Sequence, residues 1–204
     1  SSEPCYISEG QAPATTSHLF AVWGSGSNDV FAVGGSGTIL HYDGSDWTPM
    51  AWGGDFGFEG VWGSSSTDVY AVGGWDQLFA EGIILHYDGT CWREVFSTTQ
   101  FQFTDVWGSG SGDVYAATSR EGGILHYDGT RWAPMTIESG TVSADGASGV
   151  WGTGYDDVFA VGADTVWHYD GSSWQLAASM GASITEGTLS LRRVWGSSSA
   201  DVFA

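Results

Sequence analysis

The string Val22-Trp23-Gly24, followed after four residues by Asp29-Val30, occurs five times in this chain. Successive copies lie 39, 45, 44 and 44 residues apart. A period of this length is typical of a supersecondary unit that stacks on copies of itself. The later copies are Val61-Trp62-Gly63 with Asp68-Val69, Val106-Trp107-Gly108 with Asp113-Val114, Val150-Trp151-Gly152 with Asp157-Val158, and Val194-Trp195-Gly196 with Asp201-Val202.

Each unit contains four short apolar segments separated by turn residues, which we call A to D. In the first unit they are residues 19–23, 29–34, 38–42 and 47–51. Segments A and B are apolar at consecutive positions, which indicates strands covered on both faces. With 32 Gly, 12 Trp and 14% charged residues, helices are disfavoured. We therefore predict an all-β protein, a β-propeller of four-stranded antiparallel blades whose A strands line the axis.

The repeat also predicts the domain organisation. Residues 1–18 match no part of the unit and are predicted to be an N-terminal tail, while residues 19–204 form one propeller domain with units starting near 19, 58, 103, 147 and 191. Four units are complete and the fifth stops inside strand B. We expect a fragment of a larger propeller; a closed five-bladed ring with a degenerate N-terminal strand pair is the alternative.

One blade resembles a kelch repeat. Strand B ends in Gly34-Gly35, and Tyr42 and Trp47 follow on the next two strands, as in kelch blades. The turn before Trp47 is similar to the Asp-box hairpin of sialidase-like propellers. The Trp-Gly-x4-Asp string is absent from kelch repeats, so the chain resembles a divergent propeller of secreted bacterial proteins. Both motifs imply a scaffold and carry no activity of their own.

Charge and cysteine content limit the partners and the compartment. The formal charge is −19, with five arginines and no lysine, so nucleic acid and anionic membrane surfaces are poor partners. No segment approaches the length of a membrane span, so we expect no membrane insertion. We predict an extracellular, periplasmic or cell-surface location. Cys91 stands at a turn position that other units fill with Asp46, Arg131 or Ser173, and we predict a disulfide between Cys5 and Cys91.

Repeated polar residues are predicted to be structural. The strand C histidines should form hydrogen bonds within or between blades. The Asp after each A–B connection should fix that turn. The alternative role of this Asp is to bind calcium. No other cofactor is predicted. The Asp-Gly residues should form the C–D turns, and the repeated tryptophans should be core. These residues are His41, His86, His126 and His168; Asp29, Asp68, Asp113, Asp157 and Asp201; Asp43, Asp88, Asp128 and Asp170; and Trp23, Trp47, Trp62, Trp92, Trp107, Trp132, Trp151, Trp174 and Trp195.

No sequence feature indicates a catalytic centre. There is no Ser-nucleophile motif, phosphate loop or Cys/His zinc spacing, and the arginines are scattered. We therefore favour a non-catalytic protein. A propeller glycoside hydrolase or lyase is the less favoured alternative, because paired carboxylates are possible in so acidic a chain.

A binding site is expected where the connections vary. The A–B and C–D turns repeat almost unchanged, whereas the B–C and D–A connections, at the other end of each blade, differ between units. Aromatic rings beside carboxylates suit a neutral glycan, so we predict a secreted or surface carbohydrate-binding module. A protein–protein interaction scaffold is the alternative function. The alternative without a ligand is that these rings pack onto the blade rim and have only a structural role. The candidates are Trp52, Asp55, Phe56 and Phe58 after blade one, and Trp75, Asp76 and Phe79 in the B–C insertion of blade two.

Overall fold

The computed structural model describes residues 17–75, 81–119, 123–135, 146–179 and 190–204. Within those ranges the chain forms eighteen β-strands and no helix. Four sheets have four antiparallel strands each, joined in chain order, and one sheet has two strands. The predicted all-β class and the four-plus-partial blade count are confirmed.

The strands coincide with segments A to D. Blade one comprises β1 Leu19–Gly26, β2 Asp29–Gly34, β3 Ile39–Tyr42 and β4 Trp47–Pro49. Blade two comprises β5 Gly57–Ser65, β6 Asp68–Trp75, β7 Glu81–Tyr87 and β8 Trp92–Thr98. Blade three comprises β9 Phe103–Gly110, β10 Asp113–Thr118, β11 Ile124–Tyr127 and β12 Trp132–Pro134. Blade four comprises β13 Gly149–Gly154, β14 Asp157–Gly162, β15 Thr165–Tyr169 and β16 Trp174–Ser179, and the half-blade comprises β17 Trp195–Ser198 and β18 Asp201–Phe203.

The chain divides into two compact units, Ser1–Phe103 and Thr104–Ala204. Blades one and two belong to the first unit; blades three and four and the half-blade belong to the second. Each unit has its own apolar core, formed by Phe31, Phe58 and Trp92 in the first and by Tyr115, Trp167 and Trp174 in the second. Whether residues 19–204 form one propeller domain, as the sequence predicts, stays a prediction, and most of the predicted tail lies outside the described residues.

The A–B connection is tighter than the sequence indicates. We expected a Gly/Ser/Asn loop between segments A and B, but β1 continues to Gly26, which pairs with Asp29 across a two-residue turn. A register shift between Gly24 and Gly26 marks a β-bulge, and blades two and four and the half-blade show the same shift. The bulge leaves Ser25, between Gly24 and Gly26, without a partner on strand B.

The Trp-Gly pair of the repeated string is explained by packing between neighbouring blades. The Trp107 ring of blade three lies over Gly152 of blade four, where a Cβ atom would be 2.8 Å from the ring. Trp23 lies over Gly63 and Trp151 over Gly196 in the same way, each with 2.7 Å to such an atom. The tryptophan of one blade therefore requires a glycine in the next, so the two residues repeat together.

Two of the strand D tryptophans, Trp92 and Trp174, pack against the preceding blade. Trp92 of blade two contacts Phe31 of blade one edge-on, with ring centroids 6.2 Å apart, and Trp174 joins Tyr115 in the core of the second unit. Trp47 and Trp195, also predicted to be core, are instead 47% and 61% exposed. No blade precedes Trp47 within the described residues, and Trp195 lies on the half-blade.

Cys91 is buried, although its equivalents Asp46 and Arg131 are exposed. Cys5 lies outside the described residues, so the Cys5–Cys91 disulfide stays a prediction.

The described part of the chain contains no helix long and apolar enough to cross a membrane.

Replacing Gly152 with alanine should destabilise the second unit. The added methyl group would meet both the Trp107 ring at 2.8 Å and the Asp157 carbonyl oxygen at 2.6 Å. Overpacking of this kind costs about 1–3 kcal/mol, measurable as a lower free energy of unfolding in urea.

Gly24→Ala is the matched control. Gly24 occupies the same place in its own string, and its three nearest atoms all belong to its own hairpin, including the Asp29 carbonyl oxygen at 2.8 Å. If both variants lose the same free energy of unfolding, the hairpin requires the glycine and the tryptophan contact is unimportant.

Candidate functional site

An open groove of about 470 Å³ lies in the first unit, at the B–C/D–A end of blade two. Its volume is within the range of small-molecule and peptide side-chain sites. It lies at the end of the blade where the sequence predicts a binding surface. The lining residues are Phe56, Glu81, Gly82, Ile83, Glu94, Ser97, Thr98, Thr99 and Gln100.

Three elements shape the groove. Strand β7 begins at Glu81 and pairs with the end of β8, where Gly82 lies opposite Thr98 and Ile83 opposite Ser97. The D–A connection then folds back over β7, because Gly82 has no side chain: a Cβ atom there would be 2.4 Å from the Phe101 carbonyl oxygen. The connection after blade one supplies Phe56.

The groove combines an aromatic ring with negative charge. Phe56 is half-buried, packs on the core of the first unit and contacts Trp52, with ring centroids 5.9 Å apart. Glu81 and Glu94 supply two carboxylates, and none of the described lining residues is cationic. Arg93, next to Glu94, pairs with Asp88. Such a surface can receive a cationic or hydroxyl-bearing group beside an apolar one.

The sequence-predicted site residues after blade one differ in their exposure and in whether they line the groove. Trp52 is 6% exposed, donates its indole N–H to the Gly37 carbonyl oxygen at 3.0 Å, and meets Phe58 edge-on at 5.2 Å. Phe58 is fully buried. Both rings therefore pack in the core of the first unit and lack the exposure that the sequence predicted for them, while a role in ligand binding stays a prediction. Asp55 is exposed and lies outside the groove lining, while Phe56 is part of it.

The remaining candidates belong to the B–C insertion of blade two. Asp76 and Phe79 lie outside the described residues, and for Trp75 the backbone at the end of β6 is described without its side chain. Their predicted ligand contacts therefore stay predictions. Glu81 and Glu94 were not among the sequence candidates, because an acidic residue on a strand edge carries no motif.

Each complete blade contains a hydrogen-bonded Ser/Thr–Asp–His set, which we call the clasp. In blade one, Ser25 donates its hydroxyl to one oxygen of Asp29, and the other oxygen lies 2.6 Å from Nε2 of His41. The A–B turn is thereby tied to strand C. The other clasps are Ser64–Asp68–His86, Ser109–Asp113–His126 and Thr153–Asp157–His168, with carboxylate–imidazole distances of 2.7, 2.6 and 2.7 Å.

The clasp corrects the hydrogen-bond partners expected for the repeated Asp and narrows those expected for the repeated His. The repeated Asp was expected to accept backbone N–H groups, but its partners in the clasp are side chains. The repeated His was expected to bond within or between blades, and in all four blades it bonds within the blade. Burial raises the pKa of Asp113, but hydrogen bonds from His126 and Ser109 outweigh it and hold that pKa below its usual value.

The clasp contains the residue types of a hydrolase triad in a different order. In a triad the imidazole accepts the nucleophile's proton, and the carboxylate orients the imidazole. Here the carboxylate lies between the two, so Ser109 donates to Asp113 and not to His126. A hydroxyl that donates to a carboxylate in this way holds the carboxylate in place and is not activated as a nucleophile by the imidazole.

The C–D turns are held by the carboxylates the sequence indicates. Oδ1 of Asp43 accepts the backbone N–H groups of Asp46 at 3.0 Å and Ser45 at 2.8 Å, and these hydrogen bonds lower the pKa of Asp43 to about 2. Asp88, Asp128 and Asp170 accept the corresponding pairs of N–H groups. Among the residues the structure describes, no three His, Cys, Asp or Glu side chains form a metal-binding group.

A partly buried carboxylate in the second unit faces an arginine. The residue before each Val-Trp-Gly string is Ala21, Gly60, Asp105, Gly149 or Arg193, so Asp105 and Arg193 are equivalent positions two repeats apart. The Arg193 guanidinium lies 3.6 Å from Asp105 and donates to the Thr104 carbonyl oxygen at 2.9 Å. Burial raises the pKa of Asp105 to about 6, although Arg193 and the Val150 N–H oppose that shift.

Comparison with known proteins identifies the fold. No family model and no curated protein matches the chain. Solved structures do match: YCF48 bound to D1 peptide (16% identity, TM-score 0.62), an ancestral GH74 enzyme (16%, 0.61) and the WD40 β-propeller domain of Doa1 (10%, 0.63). They cover 89%, 87% and 97% of this chain, which spans 58%, 27% and 64% of their respective lengths.

These likenesses, together with the four-stranded sheets, establish a β-propeller with four complete blades and part of a fifth. At identities of 10–16% they show the fold alone. The kelch and Asp-box resemblance stays a prediction.

The second unit should lose stability as pH rises from about 4 to about 7. Asp105 has a pKa of about 6 when folded and an ordinary value of 3.8, so the folded state binds more protons between those values. Ionisation then lowers the free energy of unfolding by up to about 3 kcal/mol. Urea unfolding across this range should show a shallower slope for Asp105→Asn.

Asp43→Asn is the control, because the pKa of Asp43 lies near 2 and its stabilisation is lost only as pH falls below about 4. That variant should keep the parent's slope between pH 4 and 7. An unchanged slope in Asp105→Asn would show that Asp105 does not titrate in this window.

Proposed function

We propose that this propeller is a non-catalytic binding module that takes a cationic segment of a partner protein in the groove of blade two. The observation that carries this proposal is that a half-buried Phe56 ring and the carboxylates of Glu81 and Glu94 line the same groove, whose described residues include no cation. We further propose a secreted or cell-surface location, on the composition and cysteine content of the chain.

The chemistry of the groove favours lysine or arginine side chains. Their methylene stems can pack on Phe56 while the charged head reaches Glu81 or Glu94. The formal charge of −19 adds a long-range field that draws cationic segments towards the protein. The solved YCF48 structure, in which that protein is bound to a peptide, is consistent with propellers of this shape binding polypeptide.

A neutral glycan is the second candidate, because the groove also offers hydroxyl groups. Ser97, Thr98 and Thr99 line it beside Phe56, and an aromatic face with hydroxyl and carboxylate partners suits a sugar ring. With Trp52 and Phe58 buried, Phe56 is the one ring among the described lining residues, whereas two carboxylates line the groove and suit a cationic group. We therefore rank polypeptide first.

A paired screen distinguishes the two ligands. The intact chain is applied to an array of lysine- and arginine-containing peptides and to a glycan array. We expect peptide hits whose affinity falls at least about fivefold in Glu81→Gln/Glu94→Gln and weakens with added salt, because the contact is charge-assisted. Phe56→Ala should weaken the same hits.

The control removes the same charge elsewhere. Asp46→Asn/Asp156→Asn changes two exposed turn carboxylates outside the groove and should leave peptide affinity within about twofold. Equal losses in both double variants would mean unspecific attraction to an acidic surface, which contradicts the proposal. Glycan hits that depend on Phe56, with a silent peptide array, would establish the second candidate instead.

A further inference from the structure

The edge strand of blade two is longer than those of blades one and three. Strand D is the last strand of each four-stranded sheet, and among the described residues no further strand pairs with it. Strand β8 has seven residues, Trp92–Thr98, whereas β4 and β12 have three each and end at Pro49 and Pro134. Strand β8 also supplies Glu94 and Ser97 to the groove. The open edge of this sheet therefore borders the groove.

The two prolines show which backbone groups of strand D face away from the sheet. Pro49 lies opposite Leu40 and has no N–H, so strand C receives no hydrogen bond from that position. The next residue, Met50, donates its N–H to the Ile39 carbonyl oxygen at 2.9 Å instead. Blade three repeats this arrangement at Pro134. An N–H at the proline position points to the open edge, because the hydrogen-bonding groups of successive residues alternate in direction along a strand.

Blade two keeps the N–H group that these prolines remove. Glu94 lies opposite Leu85, at the position that proline occupies in blades one and three. A proline on an edge strand removes a donor with which another strand could pair. Blade four has Leu176 at this position, so it keeps the donor without a carboxylate. Of the four complete blades, each described at this position, blade two combines the outward N–H with an acidic side chain.

The two carboxylates of the groove lie on one face of blade two. Glu81 is four residues before Leu85 on β7, and Leu85 pairs with Glu94. Side chains alternate along a strand, so this even separation places both carboxylates on the same face, at strand positions about 13 Å apart. Val95, at the register shift beside Glu94, is 42% exposed and adds an apolar contact. An extended chain spans that distance in four residues, whereas a helix needs about nine.

We propose that the cationic segment binds in extended form, as a strand added to the edge of β8. This inference rests on the proposed function and specifies its partner as a segment with lysine or arginine at positions i and i+4. Backbone pairing at the Glu94 N–H supplies affinity, and the two carboxylates select the basic residues. The sequence has no lysine and no two arginines four residues apart, so these 204 residues of a second copy do not provide such a segment.

Backbone methylation of a peptide probe tests strand pairing without altering the protein. A seven-residue peptide of threonine and valine, with lysine at i and i+4, is titrated against the intact 204-residue chain by calorimetry. Two further versions carry N-methyl groups on alternate sets of residues. Because alternate N–H groups of an added strand face β8, one version should bind at least about tenfold more weakly and the other within about twofold of the parent peptide. Hydrogen exchange at the Glu94 amide should slow when the parent peptide binds.

A proline substitution at Glu94 tests the same edge from the protein's side. Glu94→Pro copies Pro49 and Pro134 and removes the donor together with the carboxylate, while Glu94→Ala removes the carboxylate alone. We expect Glu94→Pro to bind the peptide at least about fivefold more weakly than Glu94→Ala, since a backbone hydrogen bond is also lost. Leu176→Pro in blade four is the matched control and should leave affinity within about twofold of the parent chain, because it removes an edge donor away from the groove.

The outcomes separate this inference from the proposed function. Methylated versions that bind equally well, or equally poorly, overturn the added strand, as does equal affinity of Glu94→Pro and Glu94→Ala. If the peptide still loses affinity in Glu81→Gln/Glu94→Gln in that case, the proposed function stands and the segment binds the groove without strand pairing. If no basic peptide binds the chain, the inference and the proposed function are both wrong.

Discussion

The hydrogen bond between the repeated Asp and His is the contact on which each blade depends. It joins the turn between strands A and B to strand C, 11 to 18 residues further along the chain. Because side chains alternate along a strand, a one-residue slip of strand C would turn the imidazole to the other face of the sheet. The bond therefore fixes the register of the inner three strands, and the stacked aromatic ring adds apolar burial at the same place.

Stacking of blades imposes a second constraint. A Val-Trp-Gly string can supply a tryptophan to the next blade and a glycine that receives the tryptophan of the previous one, as Trp107 over Gly152 and Trp151 over Gly196 show within the second unit. The strand D tryptophan packs in the reverse direction, Trp92 against Phe31. Conserved spacing within the repeat thus serves the fold, and variation is left to the B–C and D–A connections, where the groove of blade two lies.

The sequence predicted the strand order correctly and some strand bounds closely, since β2 begins and ends where segment B was placed and β3 begins one residue after segment C. Repetition made this possible, because a pattern repeated four times averages out local ambiguity. Partners were harder to predict. The letters of Asp29 and His41 do not show that the two side chains face each other, since this depends on the register of β2 and β3, in which Phe31 lies opposite His41.

The candidate site was predicted less well than the fold. Its end of the blade and Phe56 were identified, but Trp52 and Phe58 were assigned to a surface although they are core. A loop tryptophan beside glycines is compatible with either role, and the choice depends on contacts such as that between the Trp52 indole and Gly37. Glu81 and Glu94 come together through β-pairing in the first unit. Asp105 and Arg193 come together through blade stacking in the second unit. No local motif encodes either arrangement.

The most direct measurement of this account is the coupling between the two ends of a clasp. The free energy of unfolding is compared for the parent, Asp113→Asn, His126→Gln and the double variant. If the bond holds the A–B turn to strand C, the double-mutant cycle should give a coupling of about 1–3 kcal/mol. A coupling near zero, with two additive losses, would show that the histidines and aspartates stabilise the blade separately and would contradict the account.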